Sequence, residues 1–126
     1  MSSIIDHLNS TSIPLLIGGS FEGVAIQTTL YSEISISIQT TTTYDFAVIF
    51  SSDGINNGII KNYALTIPQQ DARIYNIEPL MPFYKLLITN TLGLDMAYLR
   101  MESTLKYNST YKEITTIAFI GGATPS

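Results

Sequence analysis

The segment Glu33-Ile34-Ser35-Ile36-Ser37-Ile38-Gln39-Thr40 decides the fold class. Isoleucine occupies every second position and Ser or Gln the positions between. A period of two sends alternate side chains to opposite faces of a sheet, so this stretch reads as a strand with one apolar and one wet face. The same rhythm recurs on both sides of it. Phe46, Val48 and Phe50 alternate with Ala47 and Ile49, apolar on both faces, as in a strand inside a packed sheet or at an interface. Tyr63, Leu65 and Ile67 form a stripe closed by Pro68, and Tyr84, Leu86 and Ile88 follow Pro82. The longest run sets Leu99, Met101, Ser103, Leu105 and Tyr107 against Tyr98, Arg100, Glu102, Thr104 and Lys106.

Weaker strand signals cover Ser12 to Ile17, Val24 to Thr28, Arg73 to Ile77 and Lys112 to Ile120, and a short helix is expected at Ser3 to Leu8. Turn residues separate the segments: Gly18-Gly19, Ser51-Ser52-Asp53-Gly54, Asn56-Asn57-Gly58, Asn90-Thr91-Leu92-Gly93 and Gly121-Gly122. Asp53-Gly54 and Asn57-Gly58 suggest two reversals between Phe50 and Ile59. Short strands at this spacing predict an all-β fold, an antiparallel two-sheet β-sandwich of jelly-roll type. Its expected core holds Ile34, Ile36, Ile38, Phe46, Val48, Phe50, Leu65, Leu86, Ile88, Leu99 and Met101. The 126 residues have room for one domain, residues 1–126, with an N-terminal arm over about 1–11 and a C-terminal tail over about 121–126.

Composition narrows the function classes. The net charge is −4, and the six basic residues never cluster, which argues against a nucleic-acid partner. There is no cysteine, so thiol nucleophiles, disulfides and thiolate-bound zinc are excluded. No apolar run approaches the roughly 18 residues of a membrane span, and the start lacks the basic and apolar regions of a signal peptide. The sequons at Asn9-Ser10-Thr11 and Asn108-Ser109-Thr110 read as chance matches in loops.

Candidate chemistry is sparse. His7, the single histidine, lies near the chain start beside Asp6, with no nucleophilic serine in a strained turn to serve. Glu22, Asp45, Asp53, Asp71 and Asp95 fall at turns or strand edges, where Asp bonds its own backbone, and a small hydrolase would need two carboxylates facing one cleft. Asp53-Gly54-Ile55-Asn56-Asn57-Gly58 lacks the ligand spacing of a calcium loop, and Gly18 to Gly23 lacks the Lys of a phosphate loop. No catalytic residue, metal or cofactor is therefore expected. Tyr75, Tyr98 and Tyr111 are the candidate glycan contacts, since a tyrosine ring stacks on a sugar while its hydroxyl bonds outward. Ile4, Ile5, Leu8, Phe83, Leu87 and Phe119 are candidate interface residues, and at least one chain end is expected to add a strand or short helix to a neighbouring subunit.

In order along the chain stand Gly-Ser-Phe-Glu-Gly (Gly19 to Gly23), the alternating Ile34 to Ile38, Phe-Ser-Ser-Asp-Gly (Phe50 to Gly54), Phe-Tyr-Lys-Leu-Leu-Ile-Thr-Asn (Phe83 to Asn90) and the long Tyr98 to Tyr107 run. This series resembles the small β-sandwich modules of giant DNA virus and phage virion proteins. It departs from them at Lys85, where an Arg often follows the aromatic pair, and in having no Trp after the Ser-Asp-Gly turn. The resemblance implies a non-enzymatic virion structural protein, a minor capsid or fibre component that assembles through its sheet faces and edges. Its partners would be copies of itself and other virion proteins. The alternative is a carbohydrate-binding attachment module.

Overall fold

The computed structural model describes residues 3–68 and 71–108. The expected strand at Lys112 to Ile120, Tyr111, Phe119 and the tail 121–126 lie outside the described residues. Among the described residues nine strands form two antiparallel sheets. The first sheet has the order β1 (Ser3–Ile5), β9 (Leu99–Tyr107), β4 (Tyr31–Thr40), β7 (Arg73–Ile77). The second has β8 (Phe83–Asn90), β5 (Tyr44–Ser51) and β6 (Asn57–Leu65) in succession, and the outer edge of β8 is shared by β2 (Ser20–Glu22) and β3 (Ile26–Gln27). Counting β2 and β3 as one interrupted strand gives the strand order of a jelly roll, two interlocked Greek keys.

The alternation sorts the side chains as expected. Ile34, Ile36 and Ile38 of β4 are at most 1% exposed and meet Phe46, Val48, Phe50, Leu86 and Ile88 of the opposite sheet in one apolar cluster. Every residue of the expected core lies in that cluster, together with Tyr44, Ile77, Tyr84, Met96, Leu105 and Leu15. Ala47 and Ile49, on the outer face of β5, are also buried within the single chain. Their apolar character therefore does not require a second subunit.

Four local expectations are corrected. Ser3–Ile5 is a strand and not part of a helix; it pairs with β9 of its own chain, Ile4 opposite Leu105. Only a short 3-10 turn, His7–Asn9, follows it, capped by the Asp6 carboxylate, which accepts a hydrogen bond from the Leu8 amide at 3.1 Å. The N-terminal arm is thus an edge of the first sheet, fastened again where Thr11 bridges Met101. Ser12 to Ile17 forms no strand. Pro14 has no N–H to give a ladder, the Leu15 amide turns to the Met96 sulfur, and the Ile17 amide turns to the Asp95 carboxylate.

The third correction concerns the hairpin. Between Phe50 and Ile59 the chain reverses once, because Ser51 already pairs with Asn57 across a bulge and Asn57-Gly58 belongs to β6. Gly54, at φ +79°, supplies the left-handed position, and Asp53 Oδ1 accepts from the Ile55 and Asn56 amides at 2.8 and 2.9 Å. Those amides, Asn56 first, hold the Asp53 carboxyl below the ordinary carboxylate range. Finally, β6 stops at Leu65 and leaves Ile67 exposed, just ahead of Pro68, which has no N–H to give a ladder.

Candidate functional site

Two clusters of buried polar side chains organise the loops, one sealed and one that shapes a surface. The sealed cluster joins the sheets. Asp6 and Asn9 come from the β1–β2 connection, Tyr84 from β8 and Ser103 from β9, and all four are buried. The Tyr84 hydroxyl donates to Asp6 Oδ2 and lies 2.8 Å from Ser103 Oγ. Asn9 Nδ2 donates to Asp6 Oδ2 and to the Val24 carbonyl, each at 2.8 Å, while Asn9 Oδ1 accepts the Leu86 amide at 2.9 Å. The Asn9 amide thus fills the gap in the ladder where the chain breaks between β2 and β3. Gly23 is required beside it: a Cβ there would stand 1.9 Å from Asn9 Oδ1. Every member of this cluster is occupied with another. It is a structural clasp.

The clasp and a second hydroxyl pair make the fold sensitive to alkali. Burial, then the hydrogen bond to Asp6, raises the Tyr84 hydroxyl far above the ordinary tyrosine value. Burial, then the 2.9 Å contact with the Tyr75 hydroxyl, does the same for Tyr44. Folded-state values above the unfolded one favour folding at every pH below about 10, and that contribution is lost as pH rises beyond it. Each group then costs up to about 1.4 kcal/mol per pH unit. The melting temperature should hold to about pH 9.5 and fall steeply above it, with the Tyr44→Phe variant falling less steeply. A flat melting curve from pH 9 to 11 would remove this account.

The second cluster lies at the end of the sandwich carrying the β4–β5, β6–β7 and β8–β9 connections. Asn90, 2% exposed, is its organiser. Its Nδ2 reaches the carbonyls of Leu15 and Leu16 at 3.2 Å and of Leu94 at 2.8 Å, and its Oδ1 accepts the Leu92 amide at 3.0 Å. One side chain therefore ties the loop before β2 to the loop after β8. Two further bonds lock the pair: Met96 N to the Leu15 carbonyl at 3.0 Å, and Ile17 N to Asp95 Oδ1 at 2.8 Å. Gly18 at φ +70° and the 2.8 Å bond from Gly19 N to the Leu16 carbonyl close a tight turn between them.

What these braced loops present is apolar. Leu16, Ile17 and Leu94 are 68, 61 and 63% exposed. Held by hydrogen bonds of their backbone to Asn90 and Asp95 and not by burial of their own side chains, they form a pre-organised apolar tip. Local turn chemistry marks Gly18-Gly19 and Asn90 in the sequence but carries no sign of this role for them.

The residues singled out from sequence are distributed differently. Ile4, Ile5 and Leu8 stay about half exposed along the β1 edge, and Phe83 and Leu87 are partly covered on the outer face of β8. Phe83 lies under Gly54, whose Cβ position is 3.3 Å from its ring. Tyr75 turns inward, its ring centroid 5.3 Å from both Phe46 and Tyr63, and its hydroxyl is taken by Tyr44. Tyr98 lies on the outer side of the first sheet, with the Arg100 guanidinium 4.9 Å from its ring centroid. Tyr75 and Tyr98 thus share no face and make no common platform. Among the described residues no three metal-ligating side chains converge, and no helix is long and apolar enough to cross a membrane.

No family model and no curated protein matches this sequence. Solved structures resemble this chain to differing degrees. The PBSX exported protein XepA superposes with a TM-score of 0.65 at 9% identity over 84% of this chain, which spans only 37% of that one. The family 11 carbohydrate-binding module of Clostridium thermocellum, in complex with a mixed-linked tetrasaccharide, gives 0.48 at 12% identity over 84% of this chain and 82% of its own. A Bacillus endospore appendage protein gives 0.46 at 12% identity over 85% and 90%. At such identities the likeness is one of architecture: this chain is a two-sheet β-sandwich.

Proposed function

We propose that this chain is a non-catalytic structural module, a component of a virion or similar particle, that associates with copies of itself through its loop ends. The observation that carries the reading is the braced apolar tip of Leu16, Ile17 and Leu94. Apolar side chains that rigid loops hold out in water mark a contact surface. The opposite end of the sandwich also exposes apolar residues, Ile55 at 80% and Leu80 at 45%. Two apolar poles on one chain suit head-to-tail stacking, a contact that repeats without closing. The outer face of the first sheet, with Ser35, Ser37, Glu102 and Lys106, is too polar for this role. This moves the contact from the sheet faces of the first expectation to the loop ends. The virion setting draws on the five matching segments from Gly19 to Tyr107 and is compatible with the shared fold of the PBSX exported protein.

Magnitudes set the strength of such a contact. Burying three large apolar side chains contributes roughly 5–9 kcal/mol, against an association cost of about 4–15 kcal/mol. One pole alone gives a weak contact, which becomes firm only where copies are concentrated or tethered. Light scattering on the purified chain at high micromolar concentration should find oligomers, and the Leu16→Asp/Leu94→Asp double variant should be monomeric with a melting temperature within a few degrees of the parent. A parent chain that stays monomeric under those conditions sinks the proposal.

A further inference from the structure

An open groove of about 520 Å³ runs between the N-terminal segment and the outer side of β9, within the roughly 300–1,000 Å³ usual for small-molecule sites. Its polar wall consists of Arg100 and Glu102, consecutive outward residues of β9, with His7 and Ser12 facing them and Ile5 and Ile13 supplying apolar ground. We propose that this groove binds a short neutral oligosaccharide. The inference is independent of self-association, which uses other residues.

Three features converge on that ligand class. The first is pre-organisation. The opposite wall is stitched to β9 by paired Thr11 and Met101 backbone bonds at 2.9 Å and by Ser10 Oγ, which accepts the Ser103 amide at 2.9 Å. A ligand therefore meets a formed groove and is spared the cost of ordering it. The second is the planar pair. Arg100 is steadied over the Tyr98 ring, which leaves its N–H edge available as a multiple donor, and Glu102 offers two acceptor oxygens beside it. Neither is in an ion pair among the described residues, where the salt bridge found is Lys85 to Glu22 at 2.6 Å. One fork of donors next to one fork of acceptors suits hydroxyl groups, which give and take hydrogen bonds at once.

The third is charge and surface. Arg100 and Glu102 cancel, and the chain carries −4 overall, so an anionic ligand gains little here. Ile5 and Ile13, 42 and 72% exposed, provide a dry surface for the C–H side of a pyranose ring. A nucleotide or phosphate would need a second cation, and a purely apolar ligand would leave the charged fork unpaired.

The test is binding of the full chain to an array of neutral oligosaccharides of glucose, galactose, mannose and N-acetylhexosamines printed beside uronate- and sialate-containing ones, followed by calorimetric titration with the best neutral binder. Expected are neutral hits, at least a tenfold loss of affinity in each of Arg100→Ala and Glu102→Gln, and unchanged affinity in Lys106→Ala on the same strand face. Thermal melts of all three variants should match the parent, which separates a lost contact from a lost fold. An array without neutral hits, hits confined to the acidic sugars, or neutral binding untouched by both groove substitutions would each overturn the proposal.

Discussion

Ile36→Asp is expected to yield a chain without a cooperative unfolding transition. Ile36 is 0% exposed at the centre of β4, with Tyr75 opposite it on one side and Ser103 on the other. A carboxylate placed there has no cation to meet, and an unpaired buried charge costs several kcal/mol even if it takes up a proton. The total stability of a domain is about 5–15 kcal/mol. Ser35→Asp, one residue away on the wet face, is expected to shift stability by no more than about 1 kcal/mol. Circular dichroism with urea titration of the two variants reads the result. A cooperative Ile36→Asp protein beside an unfolded Ser35→Asp protein would mean that the faces of β4 are reversed.

The second large effect is expected from Asn9→Ala, in a segment that looks dispensable on sequence. The side chain is 0% exposed and makes three hydrogen bonds within 2.9 Å. Truncation leaves the Leu86 amide and the Val24 carbonyl without their partner and takes from Asp6 Oδ2 one of its two donors, the Tyr84 hydroxyl remaining, and each unsatisfied buried group costs about 1–3 kcal/mol. A net loss of about 3–5 kcal/mol is expected after some relaxation. Urea denaturation at neutral pH measures it, with Leu8→Ala as the neighbouring control because Leu8 is 52% exposed. Equal small losses in the two variants would show that water replaces the amide and that the clasp is not a unit. Deletion of residues 1–10 removes the same bonds and should destabilise the single chain, whatever its oligomeric state.

The legible part of the molecule is the part governed by local periodicity. Ile34 to Ile38, Phe46 to Phe50, Tyr84 to Ile88 and Leu99 to Leu105 each declare strand and buried face within a few residues, because an extended backbone turns successive side chains to opposite sides wherever the strand lies. Turn positions at Gly18, Gly54 and Asn90 were legible on a different but equally local ground, since glycine reaches positive φ without strain and asparagine bonds its neighbouring backbone. Even Arg73 to Ile77, a weak signal, matches β7 residue for residue.

Tertiary structure decided the rest. Ser3–Ile5 could have been a helix, a free arm or a strand; the open edge of β9, about a hundred residues further along the chain, makes it a strand. Asp6 and Asn9 look like exposed turn residues until Tyr84, Leu86 and Ser103 surround them. Tyr75 and Tyr98 are equally plausible surface aromatics in sequence, yet strand pairing sends one into the Phe46–Tyr63 cluster and the other to the outer face beside Arg100. The candidate surfaces are of this second kind: Asn90 draws Leu16 and Leu94 together across 74 and 4 residues, and the groove joins residues 5–13 to 100–102. Periodicity belongs to a strand alone, whereas a hydrogen-bond partner or the far wall of a groove belongs to whichever segment the sheet order places beside it.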